Sequence, residues 1–157
     1  MQKIGQMENQ TEKIPTPIEL FGVECGKGWH DLIIPIIEYV NKFNEEHHLG
    51  DGEKIEFLQI KEKWGGLRIY TNYGTKELHE MIDKAEEESY NVCENCGLRT
   101  DVGLKIDGWH MTLCKYCATN LAMERKYPVV WCSNDTGKTY TIDSDGTDTL
   151  LESLEKV

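Results

Sequence analysis

Apolar and polar positions along the chain predict a helix, a β-hairpin and a second helix before residue 93. The first helix is expected to have Asp31 as its N-cap and Pro35 near its first turn, and to end at Gly50. The apolar positions Leu32, Ile33, Ile36, Ile37, Val40 and Phe43 recur at helical spacing. The next stretch, KIEFLQIKEKWGGLRIYTNYG, is rich in strand-forming residues on both sides of Gly65 and Gly66. It predicts a hairpin, or two strands joined by a short loop.

A second amphipathic helix leads directly into a cysteine-rich half. The stretch TKELHEMIDKAEEESY places on one face Leu78, Met81, Ile82, Ala85 and Ser89. Beyond it, LKIDGWHMTL predicts a hairpin that turns at Asp107 and Gly108, and a short helix is expected over 118–126. PVVWCSNDTGKTYTI predicts a last hairpin, and TDTLLESLEKV predicts a short terminal helix or a frayed end.

The cysteines fall into two matched pairs, CENC and CKYC, in the order C-x2-C-x17-C-x2-C. The pairs are Cys93 with Cys96 and Cys114 with Cys117. This spacing is typical of a tetrahedral zinc site, because each short turn aims two sulfurs at one point and a hairpin brings the two turns together. The alternatives are iron on the same ligands, two disulfides, or redox chemistry, and His110 could replace one cysteine. Cys25 and Cys132 remain as small apolar residues.

A zinc ion held by four cysteines has a closed coordination shell. Catalytic zinc keeps an open position for water and commonly uses three protein ligands. The histidine-x-glutamate pair that precedes a C-x-x-C in zinc deaminases is also missing here. We therefore expect structural Zn²⁺ that supports a module too small to fold unaided, and we expect no catalytic residues.

The charge of the chain is strongly negative but unevenly distributed. The 157 residues are 39% hydrophobic, which suits one domain, or one domain with a small appended module. The net charge is −11, yet 53–74 and 93–127 each carry a net charge of +1. An acidic protein is repelled from nucleic-acid backbones unless it has a local basic patch. Any anion-binding face is therefore expected in these two segments.

The stretch KEKWGGLRIY is the most distinctive one outside the cysteine module. In one interpretation it is a packed hairpin in which Gly65 and Gly66 turn and the apolar side chains enter a core. In the other it is a contact patch for a phosphate, a carboxylate or an acidic partner surface. The candidate partner- or ligand-binding residues are Lys61, Lys63, Trp64, Gly65, Gly66, Arg68 and Tyr70.

The stretch ECGKGWHDL precedes the first helix. Its glycines, Gly26 and Gly28, could cradle an anion at the helix N-terminus. The pattern lacks a complete phosphate-binding fingerprint, so we expect an ordinary loop with Trp29 in the core.

The whole sequence predicts an α+β fold: a helix–hairpin–helix domain, then a four-cysteine zinc ribbon and a C-terminal β-hairpin. The expected segments are a flexible tail (1–18), the α+β domain (19–92), the zinc ribbon (93–127) and a hairpin with a short helix (128–157). No apolar signal segment opens the chain, and the stretch from Leu32 to Ile37 is too short to span a bilayer. We expect a soluble, cytoplasmic protein without membrane association.

The order of these motifs resembles a family of small zinc-ribbon proteins that are common in phages and prophages. The similarity extends over about 21–117, and its specific parts are KEKWGGLRIY and the cysteine module. The resemblance implies four cysteine ligands and a motif hairpin that includes Gly65, Gly66, Leu67, Arg68 and Tyr70. It also implies a mobile-element origin, and by analogy a protein that binds and modulates a host factor in the host cytoplasm.

The favoured function is therefore docking on another protein, such as a host defence or regulatory factor, with exposed aromatic residues and Arg68 as anchors. The alternative is binding of nucleic acid or a nucleotide through the 61–70 hairpin and the zinc ribbon. An enzyme has the least support, because no acid–base pair is apparent. The sequence leaves the oligomeric state open.

Overall fold

A computed structural model describes residues 22–151 of the chain. The predicted tail, 1–18, and the end of the predicted terminal helix, 152–157, lie outside the described residues. The described part is an α+β structure with the following helices and strands in chain order: α1 His30–Glu46, β1 Phe57–Lys63, β2 Gly66–Thr71, α2 Lys76–Glu88, β3 Val102–Lys105, β4 Met111–Cys114, α3 Lys115–Arg125, β5 Val129–Ser133, β6 Thr139–Ile142 and β7 Asp148–Leu150. None of the helices in 22–151 is both long and apolar enough to cross a membrane.

The first helix starts and ends slightly earlier than its sequence pattern predicts. Trp29 is the N-cap residue and makes no side-chain capping bond, so Asp31 lies inside the first turn. At the other end, the N–H of Leu49 donates to the carbonyl of Asn44 at 3.2 Å, and His48 has a φ of 50°. These are features of a Schellman cap, which ends the helix at Glu46 rather than at Gly50. The expected left-handed glycine is replaced by a histidine.

Both helices α1 and α2 pack with the antiparallel β1–β2 hairpin around one apolar core. Helix α2 and its C-cap residue, Ser89, also close the free edge of β2, since the N–H of Leu67 donates to Ser89 Oγ and that of Ile69 donates to Glu86 Oε2, both at 2.9 Å. The predicted apolar faces are confirmed. The buried members of this core are Trp29, Leu32, Ile33, Ile36, Val40, Ile55, Phe57, Ile60, Leu67, Ile69, Leu78, Ile82, Ala85 and Val92.

A five-stranded antiparallel sheet, in the order β4-β3-β5-β6-β7, forms the cysteine-rich half. The predicted segments 93–127 and 128–157 both contribute strands to this sheet, because β3 pairs with β5. The predicted terminal helix is replaced over 148–150 by strand β7, which pairs with β6 after a turn closed by Asp143 N–H to the Thr147 carbonyl at 2.7 Å. The second core contains Cys93, Val102, Leu113, Cys114, Cys117, Ala118, Ala122, Val129, Trp131 and Ile142.

Candidate metal centre and tryptophan groove

The first cysteine pair lies in a tight turn that follows α2. The N–H of Gly97 donates to the carbonyl of Cys93 at 2.8 Å, and the N–H of Cys93 donates to the carbonyl of Leu98 at 2.8 Å. Gly97 has a φ of 85°, a backbone conformation that favours glycine. This arrangement folds the chain back so that the thiols of Cys93 and Cys96 converge. We call residues 93–98 the knuckle.

The second pair lies where a strand ends and a helix begins. Cys114 is the last residue of β4 and the N-cap of α3, and its Sγ accepts the N–H of Cys117 at 3.4 Å. The expectation for a zinc ribbon was a second turn facing the first. The structure instead uses the first turn of α3, where unpaired backbone N–H groups and the helix dipole favour thiolates.

The four sulfur atoms form one compact cluster. All of them lie within 4.8 Å of one another, and the Sγ atoms of Cys96 and Cys114 are 3.7 Å apart. A zinc–sulfur bond of about 2.3 Å in a tetrahedron requires sulfur atoms about 3.8 Å apart. The cluster therefore fits a four-coordinate metal ion. Within residues 22–151 the four cysteines are the members of this cluster. His110 is not among them and makes a T-shaped ring contact with Trp64, with 6.0 Å between the ring centroids.

The protonation of these thiols depends on their burial and their hydrogen bonds. Burial raises the pKa of Cys114 and of Cys117 above the ordinary cysteine value. Burial also opposes ionisation of Cys96, but hydrogen bonds from the Leu98 backbone and the other cysteines outweigh it and lower the pKa of Cys96. Asn95 Nδ2 donates to the Cys117 sulfur at 3.3 Å. The buried thiols thus need a cation to hold them as thiolates, which is the chemistry that a bound metal supplies.

The loop before α1 packs tightly on the knuckle. The N–H of Gly28 donates to the Glu94 carbonyl at 2.7 Å, and the N–H of Gly26 donates to Glu94 Oε2 at 3.0 Å. A Cβ added to Gly28 would lie 2.1 Å from the Cys93 carbonyl oxygen. Trp29 is fully buried, as predicted, and its indole N–H donates to the Val92 carbonyl at 2.8 Å. The glycines therefore allow close backbone contact with the candidate metal centre.

The tip of the β1–β2 hairpin is a two-residue turn with unusual backbone angles. Trp64 and Gly65 form the turn, with φ values of 56° and 83°. Positive φ at both positions is what a type I′ turn requires, and asparagine or glycine is normally preferred at the first. Gly66, predicted as a turn residue, is the first residue of β2, and a Cβ on it would lie 2.3 Å from the Tyr90 hydroxyl oxygen.

A groove separates this hairpin tip from the β3–β4 loop. Trp64 is 69% exposed on one side and Trp109 is 72% exposed on the other. Glu62 spans the two, because its Oε2 accepts the N–H of Gly65 and its Oε1 accepts the indole N–H of Trp109, both at 2.7 Å. The tryptophan groove has a volume of about 640 Å³ and is lined by Glu24, Gln59, Lys61, Glu62, Lys63, Trp64, Gly108, Trp109 and His110.

Arg68 and Tyr70, the remaining side chains of the predicted contact patch, lie on strand β2 of the same hairpin. Lys61 is directly opposite Arg68 in the strand register, and its Nζ lies 5.8 Å from the centroid of the Tyr70 ring. Arg68 donates to the Tyr90 hydroxyl at 3.1 Å, and this hydrogen bond raises the arginine pKa. The structure thus brings the predicted residues together, although it engages Arg68 within the chain.

Comparison of the chain with protein-family models, with curated proteins and with solved structures finds no match. The resemblance to phage zinc-ribbon proteins therefore remains a prediction. Any function has to be argued from the two sites themselves.

The loop that forms the second wall of the groove was predicted as a hairpin turn but not as part of a site. Lys105 is only 3% exposed, and its Nζ donates to the carbonyls of Asp107 and Trp109. Asp107 in turn accepts Arg125 Nη2 at 2.7 Å and the N–H of Val130 at 3.0 Å. The loop carrying Trp109 is therefore rigidly held. The sequence signal that could have indicated this wall is the tryptophan directly after the Asp-Gly turn in DGWH.

Proposed function

We propose that this chain is a small binding protein, not an enzyme, in which zinc has a structural role and the tryptophan groove docks on another protein. The observation that carries the proposal is the combination of a left-handed backbone conformation and high exposure at Trp64. A bulky residue in the left-handed backbone region costs roughly 1–2 kcal/mol, and such strain concentrates at functional sites. Trp64 has this unfavourable backbone conformation although 69% of its surface is exposed. Packing within the chain therefore explains its presence poorly.

A second tryptophan across the groove supports the same function. Tryptophan, tyrosine and arginine dominate the energetics of protein interfaces, especially when they are pre-positioned. Trp109 is held by Glu62 and by the bonds that Lys105 makes to its loop. Two exposed indoles on rigid turns therefore form an anchor that loses little side-chain entropy on binding. By analogy with the family resemblance, we infer a host factor in the cytoplasm as the partner.

The proposal is tested by quantitative capture. Tagged wild-type protein and Trp64→Asn are compared for the host proteins they retain. The matched control is Tyr127→Asn, since Tyr127 is 67% exposed but lies outside the groove. We expect the Trp64 change to weaken partner binding by about 2 kcal/mol or more, and the Tyr127 change to have no effect. A partner retained equally by all three would contradict the proposal.

Nucleotide or single-stranded nucleic-acid binding is the second candidate function. Lys61 and Lys63 lie in the groove beside two exposed indoles, and such a combination can bind phosphate and stack a base. An affinity for oligonucleotides that falls steeply with salt would support it.

A further inference from the structure

We propose that the tryptophan groove binds an extended acidic peptide segment, an inference that rests on the docking function proposed above. It names the chemistry of the partner. The segment would place carboxylates at Lys61 and Lys63 and an apolar side chain between Trp64 and Trp109.

The charged side chains that line the groove differ in how far their hydrogen-bonding groups are occupied. Both carboxylate oxygens of Glu62 accept hydrogen bonds, from Gly65 and Trp109, and Glu24 Oε1 accepts Gln59 Nε2 at 3.5 Å. By contrast, neither Lys61 nor Lys63 makes an ion pair or a side-chain hydrogen bond within residues 22–151. The carboxylates keep their charge but already accept hydrogen bonds, whereas the donors of both lysine ammonium groups are open to a ligand.

The hairpin places like charges opposite each other. Lys61 is directly opposite Arg68 across the two strands, and like charges at such positions destabilise a hairpin. The chain has 28 aspartate and glutamate residues against 17 lysine and arginine residues. Arg68 has Glu86 and the Tyr90 hydroxyl beside it, whereas Lys61 has only the Tyr70 ring and no ion pair within residues 22–151. A negatively charged ligand would relieve the repulsion.

The segments around the groove also differ in net charge from the helix that lies between them in the sequence. Apart from Glu24, the residues that line the groove come from 53–74 and 93–127, which each carry a net charge of +1, whereas 75–92 carries −4. The two lysines and two glutamates of the lining cancel formally, so an acidic segment meets less repulsion here than over 75–92, and the positions of the two lysines set its register. Basic segments would be drawn elsewhere.

The groove suits a peptide better than a polynucleotide. Its walls include two carboxylates, Glu24 and Glu62, beside the two lysines. A nucleic-acid strand would carry a phosphate at every nucleotide past these carboxylates and needs a continuous positive track. A peptide can place its few acidic side chains at the lysines and its apolar side chain between the indoles.

The experiment uses the four indole N–H signals of the ¹⁵N-labelled protein as reporters. Trp64 and Trp109 report on the groove, whereas Trp29 and Trp131, which are 0% and 1% exposed, serve as internal references. The metal-loaded full chain is titrated with the blocked peptide Asp-Phe-Glu-Leu-Asp, with its charge-reversed counterpart Lys-Phe-Lys-Leu-Lys, and with an oligothymidylate of the same length. We expect the acidic peptide alone to move the Trp64 and Trp109 signals.

The variant Lys61→Glu with Lys63→Glu supplies the second measurement. If each lysine contributes as an exposed ion pair does, the acidic peptide should bind about fivefold more weakly to it, while the reference signals stay in place. Stronger shifts with the basic peptide, or shifts with the oligonucleotide alone, would overturn the inference. If no probe binds but Trp64-dependent capture persists, the acidic assignment fails and the docking function stands.

Discussion

Replacing Trp64 by asparagine should weaken partner binding while leaving the stability of the protein nearly unchanged. About a third of the side chain is covered, since Trp64 is 69% exposed. For an indole of roughly 250 Å² this is about 80 Å², and at about 25 cal/mol per Å² its loss costs up to about 2 kcal/mol. This figure is an upper bound, because the unfolded chain also buries some apolar surface.

The same replacement relieves backbone strain. Trp64 and Gly65 both have positive φ values, and Asn-Gly is a preferred pair for such a turn. Asparagine recovers much of the roughly 1–2 kcal/mol that a bulky residue loses in the left-handed region. The two contributions nearly cancel, so we expect the free energy of unfolding to change by less than about 1 kcal/mol.

Urea unfolding of wild type, Trp64→Asn and Trp131→Asn measures this balance. Trp131 is 1% exposed, so its replacement should cost about 3 kcal/mol or more. Partner binding by Trp64→Asn should nevertheless fall about thirtyfold or more. If Trp64→Asn destabilised the protein as much as Trp131→Asn does, Trp64 would be a structural residue. Unchanged stability with unchanged binding would remove it as an anchor.

Three further predictions concern the metal centre and its surroundings. Elemental analysis should find one zinc per chain in the wild type and none in the double variant Cys93→Ser with Cys96→Ser. A structural zinc ion contributes about 10–16 kcal/mol in small zinc modules, so its loss should abolish cooperative unfolding. A wild-type protein that is metal-free but still compact would refute the structural role. Gly28→Ala should destabilise the protein by about 1–3 kcal/mol in a urea titration, because the new Cβ meets backbone at 2.1 Å, whereas Gly50→Ala, which meets nothing within 4 Å, should be neutral or slightly stabilising. Burial and nearby carboxylates raise the pKa of Cys25 from 9.0 to about 12. Its protonated thiol therefore stabilises the folded state fully below pH 9.0, and this stabilisation is lost as the pH rises toward 12. The rate of Cys25 alkylation should keep rising above pH 9.0, and a rate that levels off near pH 9.0 would contradict the raised pKa.

Features encoded by local sequence were predictable. The apolar spacing of α1 and α2, the Asp-Gly turn and the two C-x-x-C pairs each depend on neighbouring residues. All lie in the expected elements except the second cysteine pair, which lies at the start of α3 and not in a second turn. The four cysteines converge because a turn and a hairpin of suitable length are both local structures. The end of α1 was missed, since a histidine can occupy the left-handed capping position that glycine usually takes.

Features that depend on contacts between distant residues were not predictable. The pairing of β3 with β5 joins Gly103 to Ser133, and nothing in either stretch indicates the other. The glycines before α1 suggested an anion cradle as one alternative, but their small size serves contact with the knuckle, which lies far along the chain, as the Gly28–Glu94 bond shows. The proximity of Trp109 to Trp64 was likewise not predictable, because the two residues belong to different hairpins that meet only in the folded structure.

The metal centre and the tryptophan groove are connected through a single strand. The carbonyl of Thr112 accepts the N–H of Glu94 in the knuckle at 2.9 Å, and its hydroxyl donates to the carbonyl of Gly65 at the hairpin tip. Strand β4, which contains Thr112, ends at Cys114 and follows directly after the loop that carries Trp109. An ion that fixes Cys114 therefore also fixes one wall of the groove and, through Thr112, the position of the other. A metal with a closed shell never touches a ligand, yet in this architecture it helps to set the spacing that a ligand would meet.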